Sequence, residues 1–173
     1  MIRGRAIAGL VTLSTIFLAG CSGEEKNYAV PDELCGAQVK SELIKSLLPS
    51  GDEIRVVDEE SKSTSPHHFC EVLVDDKVEL STEGVWQPAG TTAKEAAEKS
   101  LVFNTHSTEG GKFAIGERRA LTVVDCKNPK YKAERFSFEV EVNHPEGEEI
   151  GDKMQSFLAA FSEAYRKTLS CES

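Results

Sequence analysis

Apolar and polar residues alternate along much of the chain after residue 54, which predicts a sheet of several strands. The clearest alternation covers residues 136–142, where every second residue is apolar. This pattern is typical of a strand with one buried and one solvent-exposed face. Residues 69–74 and 78–80 alternate in the same way on either side of Asp75-Asp76, and they predict a hairpin. Three shorter apolar runs favour further strands, at 54–57, 113–115 and 120–126.

A period of about four residues predicts a helix over residues 31–48. Apolar residues recur at every fourth position from Cys35 to Leu47, which would form one stripe along the helix. Pro49-Ser50-Gly51 follows and is expected to end it. We therefore expect Cys35 on the buried side of this helix, facing a sheet.

Two more helices are predicted in the second half of the chain. Thr92, with Glu95 three positions later, matches a capping box and opens a helix over residues 92–104. The apolar side of that helix is mostly alanine together with Leu101, so it is expected to lie shallowly against the sheet. Amphipathic spacing predicts the last helix over residues 151–169.

This order of elements predicts one α+β domain over residues 28–173. Strands that follow one another in hairpins, with helices set apart from them, favour an antiparallel sheet with helices packed on one face. Residues 84–90, which contain Trp86, are predicted to leave the sheet. Trp86 has two possible roles: it anchors a binding loop, or it covers the edge of the sheet.

The amino terminus has the pattern of a secretory signal. Arg3 and Arg5 precede an apolar run that is too short for an ordinary membrane span. The tetrad 18–21, Leu-Ala-Gly-Cys, resembles a bacterial lipobox, in which the cysteine is lipidated and becomes the first mature residue. We therefore predict a signal peptide over 1–20, lipidation of Cys21 and a flexible tether over 21–27; ordinary secretion is the alternative.

Four further cysteines indicate two disulfides, since the chain is predicted to be exported. They are Cys35, Cys70, Cys126 and Cys171. Sequence alone permits three pairings, and proximity along the chain favours Cys35 with Cys70 and Cys126 with Cys171. In the chain-entropy account each bridge contributes on the order of 4 kcal/mol.

Charge restricts the classes of partner. The whole chain carries a net charge of −9, and removal of residues 1–20 with their two arginines leaves −11. Nucleic acid and anionic lipid surfaces would be repelled by this charge. Membrane attachment is therefore expected through the lipid anchor, with a protein or envelope component as a further partner and no nucleic acid.

The sequence contains no motif typical of catalysis or of cofactor binding, so we expect a protein that is not an enzyme and holds no cofactor or metal. The histidines are His67, His68, His106 and His144. His67 and His68 are adjacent on a predicted strand, so they point to opposite faces and make a poor metal site. A Gly-x-Ser-x-Gly elbow is absent from the sequence, and the acidic runs lack the ligand spacing of a calcium loop.

The segment Tyr28-x-Val30-Pro31-x-x-Leu34-Cys35-Gly36, together with the lipobox, the acidic spacer and a last helix ending near Cys171, resembles small exported lipoproteins of actinobacteria. The resemblance implies a membrane-anchored extracytoplasmic protein and transfers no catalytic residues. We expect a non-enzymatic binding module for a protein or cell-envelope component. The alternatives are a carrier that holds a small apolar ligand between sheet and helices and, less favoured, an envelope hydrolase.

Overall fold

The computed structural model of the chain describes residues 25–59, 67–145 and 149–172. The predicted signal peptide, Cys21 and the first part of the tether lie outside the described residues. Within these ranges the fold is an antiparallel sheet of seven strands, accompanied by a small two-stranded hairpin, three α-helices and two disulfides. The predicted combination of an antiparallel sheet, helices and two disulfides is confirmed.

The large sheet has the strand order β3-β4-β5-β9-β8-β7-β6, and every neighbouring pair is antiparallel. Its strands are β3 (Ile54–Glu59), β4 (His67–Val74), β5 (Lys77–Gln87), β6 (His106–Thr108), β7 (Phe113–Ile115), β8 (Arg119–Asn128) and β9 (Ala133–Val142). The small hairpin consists of β1 (Glu33–Leu34) and β2 (Ala37–Gln38), and the helices are α1 (Ser41–Lys45), α2 (Ala93–Lys99) and α3 (Ile150–Arg166). The predicted hairpin at Asp75-Asp76 is confirmed; both aspartates have positive φ, at 49° and 62°.

The first predicted helix is wrong over most of its length. Residues 33–38 form the β1–β2 hairpin, and α1 begins only at Ser41. Cys35 and Gly36 form the turn with φ values of 46° and 80°, which a right-handed helix cannot contain. The four-residue spacing of apolar positions arises because the hairpin, its exit and the short helix each turn one side toward the core.

Strand β5 continues through residues 84–87, the first four of the seven that were predicted to leave the sheet, and residues 88–90 lie outside the strand. Gly84 pairs with Phe138 inside β5, and the strand ends at Gln87. A Cβ atom on Gly84 would lie 2.5 Å from the ring of Phe136. The glycine is there because an aromatic ring crosses closely over the strand, and Trp86 consequently belongs to a strand and not to a loop.

One side of the sheet, which we call face A, holds the main hydrophobic core. Helices α1 and α3 pack on this face, and the rings of Phe138, Phe157 and Phe161 fill the space between β9 and α3. The Phe157 and Phe161 rings are stacked with centroids 5.4 Å apart, and Phe138 meets Phe161 edge-on at 5.9 Å. The alternation predicted for β9 is therefore confirmed on its apolar side.

The opposite side, face B, is covered near β7 and β8 by α2. Ala96 and Ala97 of this helix belong to a second, smaller cluster with Ala114 and Leu121. The expectation that the helices pack on one face holds for α1 and α3 but not for α2. Ser137 and Glu139 of β9, predicted to face solvent, are each only 5% exposed.

The disulfides join Cys35 to Cys70 and Cys126 to Cys171, which is the pairing favoured by the sequence. Their Cα–Cα distances are 6.2 and 4.9 Å. Both bridges belong to the core of face A. The first fastens the β1–β2 hairpin to β4, and the second fastens the segment after α3 to β8.

Candidate binding groove

A groove of about 290 Å³ opens at the end of the sheet where β4 and β9 begin and β5 ends. It lies between that end of face A and the last turn of α3. Its lining combines aromatic rings with polar side chains: His67, His68, Trp86, Asn128, Lys130, Tyr131, Phe136, Tyr165, Thr168, Leu169 and Ser170.

Trp86 lies at the centre of an aromatic cluster in this groove. Its indole stacks on Tyr131 with centroids 5.2 Å apart and meets Phe136 edge-on at 4.8 Å. Trp86 is half-buried, because Phe136 covers its inner side and the groove lies on its outer side. The residue therefore covers the end of the core and also offers an accessible aromatic surface to a ligand.

The position of Tyr131 is fixed by a short 3₁₀ turn, Pro129–Tyr131. The Asn128 side-chain oxygen accepts a hydrogen bond from the Lys130 backbone N–H at 3.1 Å, and its amide nitrogen donates to the Ser170 carbonyl at 3.1 Å. Lys132 ends the turn in the left-handed conformation, with φ at 53°. The second disulfide lies close by along the chain, so this wall of the groove is held from two sides.

His68 and Tyr165 form the opposite wall. The Tyr165 hydroxyl and His68 Nδ1 are hydrogen-bonded at 2.8 Å, and the two rings lie 4.3 Å apart. Burial lowers the pKa of His68 below its usual 6.5, an effect that the carboxylate of Asp58 partly opposes. Burial therefore favours the neutral form of His68, which presents a flat ring to the groove.

The rim of the groove carries cationic and amide groups. Lys130 and His67 are exposed, and the Lys130 ammonium lies 5.1 Å from the centroid of the Tyr131 ring. A partly exposed aromatic stack with hydrogen-bond donors around it suits a ligand with a flat apolar portion and oxygen acceptors.

A larger surface groove of about 570 Å³ lies beside the Cys126–Cys171 bridge. Its arginines already have partners in the fold. Arg135 pairs with Asp125 at 3.0 Å, and the Arg166 side chain donates to the Asp125 backbone carbonyl at 3.0 Å. Its cations are committed to the fold, which makes the aromatic groove the better candidate for ligand binding.

Face B contains a buried carboxylate that sequence analysis placed in solvent. The Glu139 carboxylate forms an ion pair with Arg119, whose Nε lies 2.6 Å from a Glu139 oxygen and 3.2 Å from a Glu141 oxygen. Burial raises the pKa of Glu139 to about 7, although Arg119 opposes this shift. A shift in this direction predicts that the stability of the fold depends on pH.

The four histidines are dispersed. His67 lies 3.1 Å from Glu83 on face B, His144 pairs with buried Glu79 at the other end of the sheet, and His106 is exposed on β6. Among the described residues, no group of three potential metal ligands comes together. The structure places His68, Trp86 and Tyr165 in one groove, a set that the sequence did not predict. The alternation over residues 136–142 was a partial signal, because it puts Phe136 on the buried face and Trp86 pairs with Phe136.

Comparison of the chain with models of protein families, with curated proteins and with solved structures found no match. In the described part of the chain, none of the helices has the length and apolar character needed to cross a bilayer.

Proposed function

We propose that this protein is a membrane-anchored extracytoplasmic lipoprotein whose domain acts as a non-enzymatic binding module for another protein or a cell-envelope component. The observation that carries the proposal is the half-exposed Trp86–Tyr131 stack in a groove with a polar rim. The resemblance to exported actinobacterial lipoproteins is consistent with this function.

Two features support a location outside the cytoplasm. Two disulfides are typical of proteins that fold in oxidising compartments. The lipobox at residues 18–21 provides Cys21 as an acylation site. Two acyl chains hold a protein stably on a membrane, whereas a single chain gives marginal binding.

Replacement of Cys21 tests the anchor. Cys21→Ala is expected to release the protein from cells into the medium, because the lipid is its attachment. Mass spectrometry of the wild-type amino terminus should show the lipid on Cys21. A Cys21→Ala protein that stays with the cells would contradict the anchoring part of the proposal.

Site-specific crosslinking on intact cells tests the binding part. A photoreactive residue in place of Lys130, on the rim of the groove, is expected to give a discrete adduct. The matched control replaces Lys94, an exposed lysine of α2 on face B. The adduct should weaken when Tyr131→Ala removes one ring of the stack.

The result has two clear outcomes. An adduct seen from position 130 but not from position 94, and dependent on Tyr131, supports the groove as the binding site and identifies the partner's class. Equal adducts from both positions, or no adduct from position 130, would exclude the groove.

The alternative function is a carrier with a small apolar ligand between sheet and helices. The volume that this ligand would need is occupied by Phe138, Phe157 and Phe161, whose rings contact one another. Filled packing between β9 and α3 favours recognition at the surface groove over transport inside the fold.

A further inference from the structure

Two large apolar side chains project from the connection between α2 and β6. Leu101 is 73% exposed and Phe103 is 65% exposed, while Val102 between them is 6% exposed. Val102 is anchored in the face B cluster. We call Leu101 and Phe103 the apolar tip.

The backbone holds the apolar tip in place. After α2, the Val102 N–H donates to the Ala97 carbonyl and the Leu101 N–H donates to the Glu98 carbonyl, the two hydrogen bonds of a Schellman motif. In this motif the residue at the position of Leu101 is left-handed and is usually glycine. Leu101 adopts φ of 58°. Neither the backbone conformation nor burial inside the domain favours leucine at this position, and the side chain is available for a contact outside the domain.

The apolar tip lies at the same end of the sheet as the start of the described chain. Asn27 donates a backbone hydrogen bond to Gly51, just before β3 begins at Ile54. The strand pairings place Ile54, at the start of β3, at the same end as Arg119, at the start of β8. Arg119 donates to the carbonyl of Ser100, next to the tip, at 3.1 Å.

The distances fit two separate contacts with one surface. Glu25 is four residues from Cys21, so the chain between them spans at most about 14 Å. Strands β3 and β8 are four neighbour steps apart, which is roughly 20 Å. An anchor near β3 and an apolar contact near β8 would fix the orientation of the domain.

We propose that Leu101 and Phe103 insert into the surface of the bilayer that carries the lipid anchor. This inference rests on the proposed lipidation of Cys21. Burial of apolar surface would drive this contact. Electrostatic attraction would not, because the acidic domain is repelled by anionic headgroups. The domain then stands with the Trp86 groove roughly 30 Å from the bilayer, because strands β5 and β9 each span the sheet between the tip end and the groove end.

Fluorescence quenching in vesicles tests the insertion. The lipidated protein carrying Phe103→Trp is placed in vesicles of phosphatidylethanolamine and phosphatidylglycerol whose acyl chains are brominated. The added indole is expected to be quenched several-fold relative to vesicles without bromine. Trp86, the single tryptophan of the chain, is distant and provides an internal reference. Lys130→Trp, at the groove end, is the matched control and should not be quenched.

The quenching at positions 103 and 130 distinguishes insertion of the apolar tip from attachment through the lipid alone. Quenching at position 103 and not at position 130 supports insertion, and added salt should not reduce it. A lipidated, vesicle-bound protein that is unquenched at position 103, or quenched equally at both positions, overturns the insertion and leaves the anchor intact. An amino terminus that mass spectrometry finds unmodified, with no protein on the vesicles, overturns the anchor and the insertion together.

Discussion

The two faces of the sheet carry different side chains and are covered by different helices. Face A contains the stacked phenylalanines and both disulfides, and it is closed by α1 and α3. In the described part of the chain, the alanines of α2 close face B near β7 and β8, and this face holds the Glu139–Arg119 pair. The same strands serve both faces, so the difference comes entirely from alternate side chains and from what packs on them.

The two faces therefore differ in how much they contribute to the free energy of unfolding and in whether that contribution depends on pH. Large apolar side chains and crosslinks make face A costly to disturb. Small side chains and a buried carboxylate on face B give shallow packing whose energy depends on pH. We therefore expect the largest losses of stability from changes on face A and the smaller, condition-dependent ones from changes on face B.

The largest effect should come from reduction of both disulfides. Each bridge contributes on the order of 4 kcal/mol in the chain-entropy account, and a typical domain is stable by about 5–15 kcal/mol. Reduced and alkylated protein is expected to lose its near-ultraviolet circular dichroism. A reduced protein that keeps that signal and a cooperative thermal transition would show that the aromatic packing of face A suffices alone.

Phe161→Ala should have the next largest effect. Phe161 is fully buried between Phe138 and Phe157, so its truncation is expected to lower the free energy of unfolding by about 3–5 kcal/mol. Urea unfolding measures the loss. The matched control is Phe103→Ala, which removes an exposed ring and should change stability by less than about 0.5 kcal/mol. Equal losses in the two variants would contradict the assignment of the core.

The sequence was informative wherever one local pattern decided the structure. Alternation predicted β9, a capping box predicted the start of α2, and proximity predicted both disulfides. It failed where a distant residue decided. Gly84 was interpreted as the end of a strand, because nothing local shows that the Phe136 ring needs its space. For the same reason the helix predicted at 31–48 ignored the turn at Cys35, which is tied to Cys70.

The candidate groove was only partly accessible to sequence reasoning. Trp86 was identified as a possible binding residue, but Tyr131 and Tyr165 come from elements far away in the chain. Their meeting depends on the register between β5 and β9 and on the rotation of α3 about its axis. Side-chain periodicity predicts which face a residue takes, and it does not predict which distant residue it meets there.

Glu139 gives face B a predictable response to pH. Its pKa is about 7 in the folded state against 4.5 without burial, so the folded protein binds more protons between these values. The free energy of unfolding should therefore fall as pH rises from about 4.5 to about 7, by up to about 3 kcal/mol. Glu139→Gln cannot titrate and is expected to remove this decline.

His68 changes the free energy of unfolding with pH in the opposite direction to Glu139. Its pKa is lowered in the folded state, so its contribution to stability is present above pH 6.5 and is lost as pH falls through that value. Both proteins contain His68, and the difference between wild type and Glu139→Gln therefore isolates Glu139. Parallel stability curves across pH 4 to 8 would show that Glu139 is not proton-coupled to folding.

The smallest effect is expected from Thr92→Ala, at the start of α2. The Thr92 hydroxyl accepts from the Glu95 backbone N–H at 3.2 Å, and the Glu95 carboxylate accepts from the Thr92 N–H at 2.8 Å. Loss of this cap should cost about 1 kcal/mol, measured by urea unfolding. Ser107→Ala, which removes an exposed hydroxyl on β6, is the control and should have almost no effect.

Hydrogen exchange decides whether that cost is confined to face B. Helix α2 packs through alanines, and neither disulfide joins it to the sheet. Thr92→Ala should therefore speed exchange of the α2 amides while the β9 amides keep wild-type rates. Faster exchange throughout β9 would mean that the helix is coupled to the aromatic core through the sheet. The two faces would then unfold as one unit, and the independence argued for them would be lost.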